Sequence, residues 1–111
     1  MSLLLNGVLL FKNYDQNRVV EVLDGDTFRI KSGDRIRLDG YDAPEKEECG
    51  HEIAKIELEN WVLDQVIELR EERKDFWGRR LGLVYLDDIS INDEMKKFIE
   101  HSPDLAACLV K

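Results

Sequence analysis

Asp24, Asp26, Arg37, Asp42 and Glu45 fall within one stretch, VLDGDTFRIKSGDRIRLDGYDAPE, from Val22 to Glu45. Carboxylates carried on a turn and on a loop corner are hard oxygen donors, the kind a divalent cation such as Ca2+ takes. Arginine offers a planar fork of N–H groups that matches a phosphate. A second arginine, Arg79, follows Gly78 further along. The chemistry open to such a set is attack of water on a phosphodiester, which builds negative charge on the phosphoryl oxygens. A cation and two guanidinium groups can meet that charge, and a carboxylate can take the water's proton. Each piece also has a plainer reading. Asp24-Gly25-Asp26 is a hairpin signal by itself, Asp42 to Glu45 can be an ordinary loop, Arg37 a solvated strand residue, and Gly78-Arg79 a turn.

The elements that must position these residues can be read from patterning. Arg18 to Leu23 carries Val19, Val20 and Val22 and reads as a strand. Thr27 to Lys31 alternates apolar and polar residues, Ser32-Gly33-Asp34 turns the chain, and Arg35 to Leu38 alternates again. Ile36 and Leu38 then share one face, and Arg37 lies on the other. Pro44 stops that ladder and fixes φ between Asp42 and Glu45. From His51 to Asp64 an apolar face of Ile53, Ile56, Trp61 and Leu63, with Ala54, Leu58 and Val62, predicts a helix. Val66 to Leu69 and Leu81 to Leu86 read as further strands. Asn92 reads as the N-cap of a helix running to about Glu100, with Asp93 and Glu94 in its first turn. Asp104 to Val110 is a candidate last helix, and Gly7 to Phe11 a candidate first strand.

The totals set limits. A chain of 111 residues, 43% hydrophobic, is expected to form one domain spanning 1–111 with a small core. Its formal charge of -8 argues against a nucleic-acid partner when taken alone. The opposing feature is the run Arg70, Arg73, Lys74, Arg79 and Arg80, which either tracks a phosphate backbone or is solvated charge interleaved with Glu71, Glu72 and Asp75. Cys49 and Cys108 have no metal-type spacing and read first as two reduced thiols, with a disulfide left open. The apolar start lacks a cationic head and a small-residue cleavage site, and is too short to span a bilayer. That leans toward a cytoplasmic protein with no membrane partner, a secreted form with a trimmed signal staying open. His51 and His101 receive no role.

Taken together, Asp26-Thr27 at a strand start, Arg37 followed by Asp42, Pro44 and Glu45, and Gly78-Arg79 ahead of a strand resemble the staphylococcal nuclease (thermonuclease) family. The resemblance runs from about Val19 to Asn92 and takes in Gly50-His51-Glu52 and Ile91-Asn92 at two helix starts. It implies an α+β fold, mainly β: an OB-type five-stranded barrel with two or three helices. It implies calcium-dependent hydrolysis of DNA and RNA, single-stranded or frayed, to 3′-phosphate products by what is expected to be a monomer. Carried over residue by residue, Asp26, Asp42 and the backbone carbonyl of Ala43 would hold Ca2+. Glu45 would be the general base, and Arg37 and Arg79 would grip the phosphate, with Asp24 either forming the turn or standing behind the metal's ligands rather than binding it directly. Three departures stand out. Position 43 is Ala where the best-known member has Thr, Trp77 stands where a tyrosine is familiar, and the tyrosine-bearing stretch beyond Asn92 is missing. A non-catalytic OB-type module that binds nucleic acid or protein is the competing reading.

Overall fold

The computed structural model describes residues 15–109 of the chain. In chain order the elements are strands β1 (Val19–Asp24), β2 (Thr27–Ile30) and β3 (Arg35–Leu38), helix α1 (His51–Val62), strands β4 (Glu68–Lys74), β5 (Arg80–Leu86) and β6 (Ile89–Ser90), and helices α2 (Ile91–His101) and α3 (Pro103–Leu109). The fold is thus mixed α+β. The candidate strand Gly7 to Phe11 lies outside the described residues.

One six-stranded sheet has the order β1-β2-β3-β5-β4, with β6 added on β5. β1, β2 and β3 form an antiparallel meander. β3 then runs parallel to β5, with Ile36 opposite Arg80, Arg37 opposite Leu81 and Leu38 opposite Gly82. Parallel neighbours cannot be joined by a tight turn, so α1 and β4 fill the crossover. The two margins of the sheet touch at an isolated bridge, Arg18 to Val66, flanked by Val19 N–H to Gln65 O at 2.9 Å and Ile67 N–H to Asn17 O at 3.2 Å. This is a point of contact, not a continuous ladder.

The core lies between the sheet and the helices. Val19, Phe28, Ile30, Ile36 and Leu38 meet Leu58 and Val62 of α1, Val84 of β5, and Ile91 and Met95 of α2. Burying each such large side chain is worth about 1.5–3 kcal/mol. The expected alternation on β3 holds: Ile36 and Leu38 are fully buried, while Arg37 is on the opposite face. Helix α1 keeps part of its expected broad apolar face, Trp61 and Leu63 being half-buried against the core. Ala54, Leu58 and Val62 are its buried residues, one narrow ridge at four-residue spacing, and Ile56 is half exposed. The helix sits very close to the β1–β2 turn at its start. A Cβ added to Gly25 would lie 2.6 Å from the Cβ of Ala54 and 2.7 Å from that of Ala43. Small residues at these three positions let the β1–β2 turn, the loop after β3 and α1 converge.

Further expectations are corrected. The strand read at Val66 to Leu69 starts later and runs on through Arg70 and Arg73 to Lys74, because an outer strand can be polar on most of its surface. The cap of α2 is Ser90, whose hydroxyl accepts the Asp93 N–H at 3.2 Å. Asn92 is the second residue of the helix, buried, and serves tertiary structure. Its Oδ1 accepts the Val84 N–H at 2.7 Å, and its Nδ2 donates to the carbonyls of Asp39 at 2.8 Å and Gly82 at 3.0 Å. The two cysteines are not free thiols but a disulfide, Cys49–Cys108, with Cα atoms 5.8 Å apart. Sequence separation concealed this because α3 folds back over the loop before α1, with Leu105 seated against Gly50, whose φ is +90°. Among the described residues no helix is long and apolar enough to cross a membrane.

Asn92→Ala would strand one buried donor and two acceptors in this interior. It is expected to lower the unfolding free energy by about 2–4 kcal/mol in a urea melt, whereas loss of a surface cap would cost about 1 kcal/mol.

Candidate active site

The β1–β2 turn presents Asp26, and the turn geometry follows from its neighbours. The Asp24 carboxylate accepts the Asp26 N–H at 3.0 Å, which is the turn-forming role expected of it. Asp26 is 7% exposed. Its Oδ1 accepts the Thr27 hydroxyl at 2.9 Å, and its Oδ2 accepts the Ala43 N–H at 2.9 Å and Arg37 Nη2 at 3.2 Å. Burial first, and then the Asp24 carboxylate, push the Asp26 pKa up to about 6, against the pull of the Ala43 amide and Arg37.

Arg37 is the hub. Its Nη1 donates to the Leu38 carbonyl at 2.8 Å and its Nη2 to the Tyr41 carbonyl at 3.2 Å. The same Nη2 also reaches Asp42, whose side chain is otherwise 94% exposed. Tyr41 closes the arrangement by donating its hydroxyl to the Gly25 carbonyl at 2.7 Å. Burial drives its phenol far above the ordinary range, so it stays a neutral donor.

Arg79 arrives from the other end of the chain through the β3–β5 register. Arg37 is opposite Leu81, and residues two apart along a strand share a face, so Arg79 and Arg37 project to the same side. The aspartate Asp75 fixes Arg79: its carboxylate accepts the Arg79 N–H at 2.8 Å and Nε at 2.6 Å. Burial opposes ionisation of Asp75, but these donors outweigh it and hold its pKa below the usual carboxylate range. Arg37, Tyr41, Asp42, Asp75, Trp77 and Arg79 line one open cleft of about 420 Å³.

The structure therefore brings Arg37, Asp42 and Arg79 into one cleft, with Asp26 and the buried Ala43 directly behind Arg37. Glu45 is exposed, not among the residues that line the cleft, and at the start of a tight loop. Its N–H is held by Glu48 Oε1 at 2.7 Å, and the Glu48 N–H donates to the Glu45 carbonyl at 2.9 Å. His51, given no role from sequence, anchors this loop with Nδ1 at 3.2 Å from the Pro44 carbonyl. Sequence reasoning also missed Asp75 and Tyr41. The Asp75 signal was its place four residues before Arg79; the link from Tyr41 to Gly25 left none.

The other three arginines of the basic run are paired with carboxylates. Arg70 pairs with Glu68, Arg73 with Asp39, and Arg80 with Asp34 and Glu72. Of its two readings, interleaved solvated charge describes these three arginines.

The donor set suits a hard cation. Two carboxylates, Asp26 and Asp42, converge on one atom, Arg37 Nη2, beside the Ala43 backbone, and no sulfur or imidazole intrudes. Among the described residues no cluster of three or more His, Cys, Asp or Glu side chains could enclose an ion, so carbonyl and water oxygens would have to complete any coordination shell.

Comparison with known proteins adds a separate line. No family model matches the chain. It is 36% identical over 84 residues to a Haemophilus influenzae protein named "Uncharacterized endonuclease", an overlap of 72% of this chain and 47% of that protein. An Escherichia coli protein of the same name is 35% identical over 82 residues, covering 70% of this chain and 54% of its own length. A Shigella flexneri protein named "Micrococcal nuclease" is 34% identical over 73 residues, 63% of this chain and 42% of its own length. The chain is a relative of proteins named as nucleases. It spans about half the length of those relatives.

Asp26 also sets a pH response. Its folded-state pKa of about 6 lies above its ordinary 3.8, so its stabilising contribution is full below about 3.8 and is lost as pH rises through about 6. Acidifying the metal-free chain from about pH 7.5 to 5 is expected to raise the unfolding free energy by about 1–3 kcal/mol on this account. Asp26→Asn should abolish that rise in parallel urea melts. Below the ordinary carboxylate range the opposite trend takes over, as Asp15, Glu68, Glu72 and Asp75, whose pKa values are lowered, become protonated.

Proposed function

We propose that this chain is a single staphylococcal-nuclease-like domain, OB-type in fold, that hydrolyses phosphodiester bonds of DNA or RNA to 3′-phosphate products with Ca2+. The observation that carries this reading is the shared cleft: two arginines distant in sequence face it beside Asp42. The nuclease names of the relatives support the same reaction class.

In this reading Asp26, Asp42 and the Ala43 carbonyl hold the cation, which when bound supplies Lewis-acid stabilisation of charge on the phosphoryl oxygens. Arg37 and Arg79 donate to the remaining oxygens. Arg79 is already oriented by Asp75. Arg37 is held by two carbonyls and the buried Asp26, and can exchange the exposed Asp42 carboxylate for a phosphate oxygen without losing its place. Glu45, on its clipped loop next to Asp42 and Pro44, takes the proton from the attacking water. Donors held in position before the reaction avoid reorganisation as charge builds, which is where such sites gain most.

The competing reading, a module that binds without cutting, draws on two observations. Glu45 is not among the residues lining the cleft, and both arginines are paired with carboxylates. Incubation of single-stranded DNA with the protein and Ca2+ separates the two: chelator-sensitive cleavage is expected, and its absence would leave only the binding module. Arg37→Ala and Glu45→Gln are each expected to lower kcat at least about tenfold, and up to about 10³-fold, with the circular dichroism spectrum unchanged. Calorimetry should show saturable Ca2+ binding that Asp42→Asn removes; a metal-inert chain would give no such isotherm.

A further inference from the structure

The Cys49–Cys108 disulfide has no part in the chemistry of the cleft, yet one end of it lies on the loop that carries Glu45. Cys49 is exposed and sits between Glu48 and Gly50, just before α1, while Cys108 is half-buried on α3. The loop between them and the cleft is held in an unfavourable shape. Glu47 has φ +77°, a backbone region that an L side chain rarely adopts and keeps only where its surroundings hold it there. Glu45, Glu47, Glu48 and Glu52 stand against the single Lys46, and their mutual repulsion favours a spread loop.

The contacts that oppose this are few. Within the loop, the Glu45 N–H donates to Glu48 Oε1 at 2.7 Å and the Glu48 N–H to the Glu45 carbonyl at 2.9 Å. At its end, the His51 N–H donates to the Glu48 carbonyl at 3.2 Å, and His51 Nδ1 lies 3.2 Å from the Pro44 carbonyl. From further along the chain the hold comes from α3. Leu105 is 2% exposed, lies outside the main core cluster, and fills the space over Gly50. A Cβ at Gly50 would meet Leu105 Cδ2, with Pro44 Cγ at 3.4 Å and Cys108 Sγ at 3.9 Å around the same point. Asp104, Ala106 and Ala107 of α3 are exposed. One apolar side chain and one disulfide therefore fasten α3 over the loop.

We propose that this disulfide is a redox latch that keeps Glu45 in its working position. A dithiol reductant opens it. One thiolate of the reductant attacks a cysteine sulfur and breaks the S–S bond. The second thiol then displaces the mixed disulfide, leaving two cysteine thiols and an oxidised, cyclic reductant, so that two electrons and two protons pass to the protein. The exposed Cys49 gives the reductant access. With the bond open, Leu105 alone retains α3, Glu47 relaxes, and Glu45 leaves its place. A displacement of about 1 Å in a reacting group can cost about 10²-fold in rate. Arg37, Asp42 and Arg79 are held by other contacts, so the cleft still takes substrate. The inference rests on the phosphodiesterase reading and deepens it by naming a regulator of the same site.

The test compares the full chain oxidised, the chain reduced with dithiothreitol, and a double variant, Cys49→Ala with Cys108→Ala, thiol titration fixing the redox state of each sample. Amide hydrogen exchange is read without substrate or metal. On reduction the Glu48 and His51 amides are expected to exchange at least about tenfold faster, while the Val84 amide, bonded to Asn92 in the core, keeps its rate. In Ca2+-dependent cleavage of single-stranded DNA, reduction is expected to lower kcat about tenfold or more, to leave KM within about twofold, and to reverse on reoxidation. The double variant should show the low kcat and ignore the reductant. Equal acceleration of exchange at Val84 means a general loss of stability and overturns the latch. If the chain cuts DNA equally well in both redox states, the latch falls and the activity stands. If loop exchange responds to reduction but no sample cuts DNA, the phosphodiesterase reading falls and takes this regulation with it. Two free thiols in the air-oxidised chain overturn the proposal outright.

Discussion

The Arg37 guanidinium is the point through which the site is held together. One planar group ties the end of β3 to the β1–β2 turn through Asp26 and to the following loop through Asp42 and the Tyr41 carbonyl. An arginine with 16% of its side chain exposed needs such partners, because a buried charge left unpaired costs several kcal/mol. The same requirement keeps Asp26 in place: its desolvation is tolerated since it accepts from a hydroxyl, an amide and the guanidinium. The same few atoms therefore hold the β1–β2 turn, the end of β3 and the loop after it to one another.

What surrounds this point serves to bring Arg79 to it. A parallel pairing of two short strands is a weak way to build a sheet, but it puts Arg79, just before β5, level with the start of β3 and on the same face as Arg37. Asn92 supports that pairing from beneath, joining the carbonyls of Asp39 and Gly82 on the two strands. Asp75 then turns Arg79 inward. Each step is a polar contact made deep in the structure or at a tight turn, so the cleft is defined by hydrogen bonds more than by the hydrophobic core below it.

Much of this was legible in the residues. The alternation of Arg35 to Leu38 placed Arg37 on the polar face, and the Asp-Gly-Asp turn and Pro44 marked the two corners. The sheet-side helix and the last two helices were visible from apolar spacing. What was not legible depended on contacts between distant segments. The closeness of Gly25, Ala43 and Ala54 at the start of α1 is something periodicity does not report. Asn92 has the type of a cap, and only its distance from Val84 and Asp39 shows that it is a core residue. Charge counting along 70–80 could not tell which arginines had partners, since Arg73 and Arg80 find Asp39 and Asp34, distant in sequence, at the two ends of β3. The cysteine pair was invisible for the same reason.

The link between Cys49 and Cys108 encloses β4, the exposed Phe76–Trp77 turn and β5 within a single covalent loop. The exposed bond between Phe76 and Trp77 is the sort of place a protease with an aromatic preference attacks first. A chain nicked there would not come apart: its two pieces would run together on a gel until a reductant separated them, and β4 and β5 would stay hydrogen-bonded as a non-covalent seam. Damage at the part of the molecule most open to solvent is thereby uncoupled from loss of the sheet beneath it.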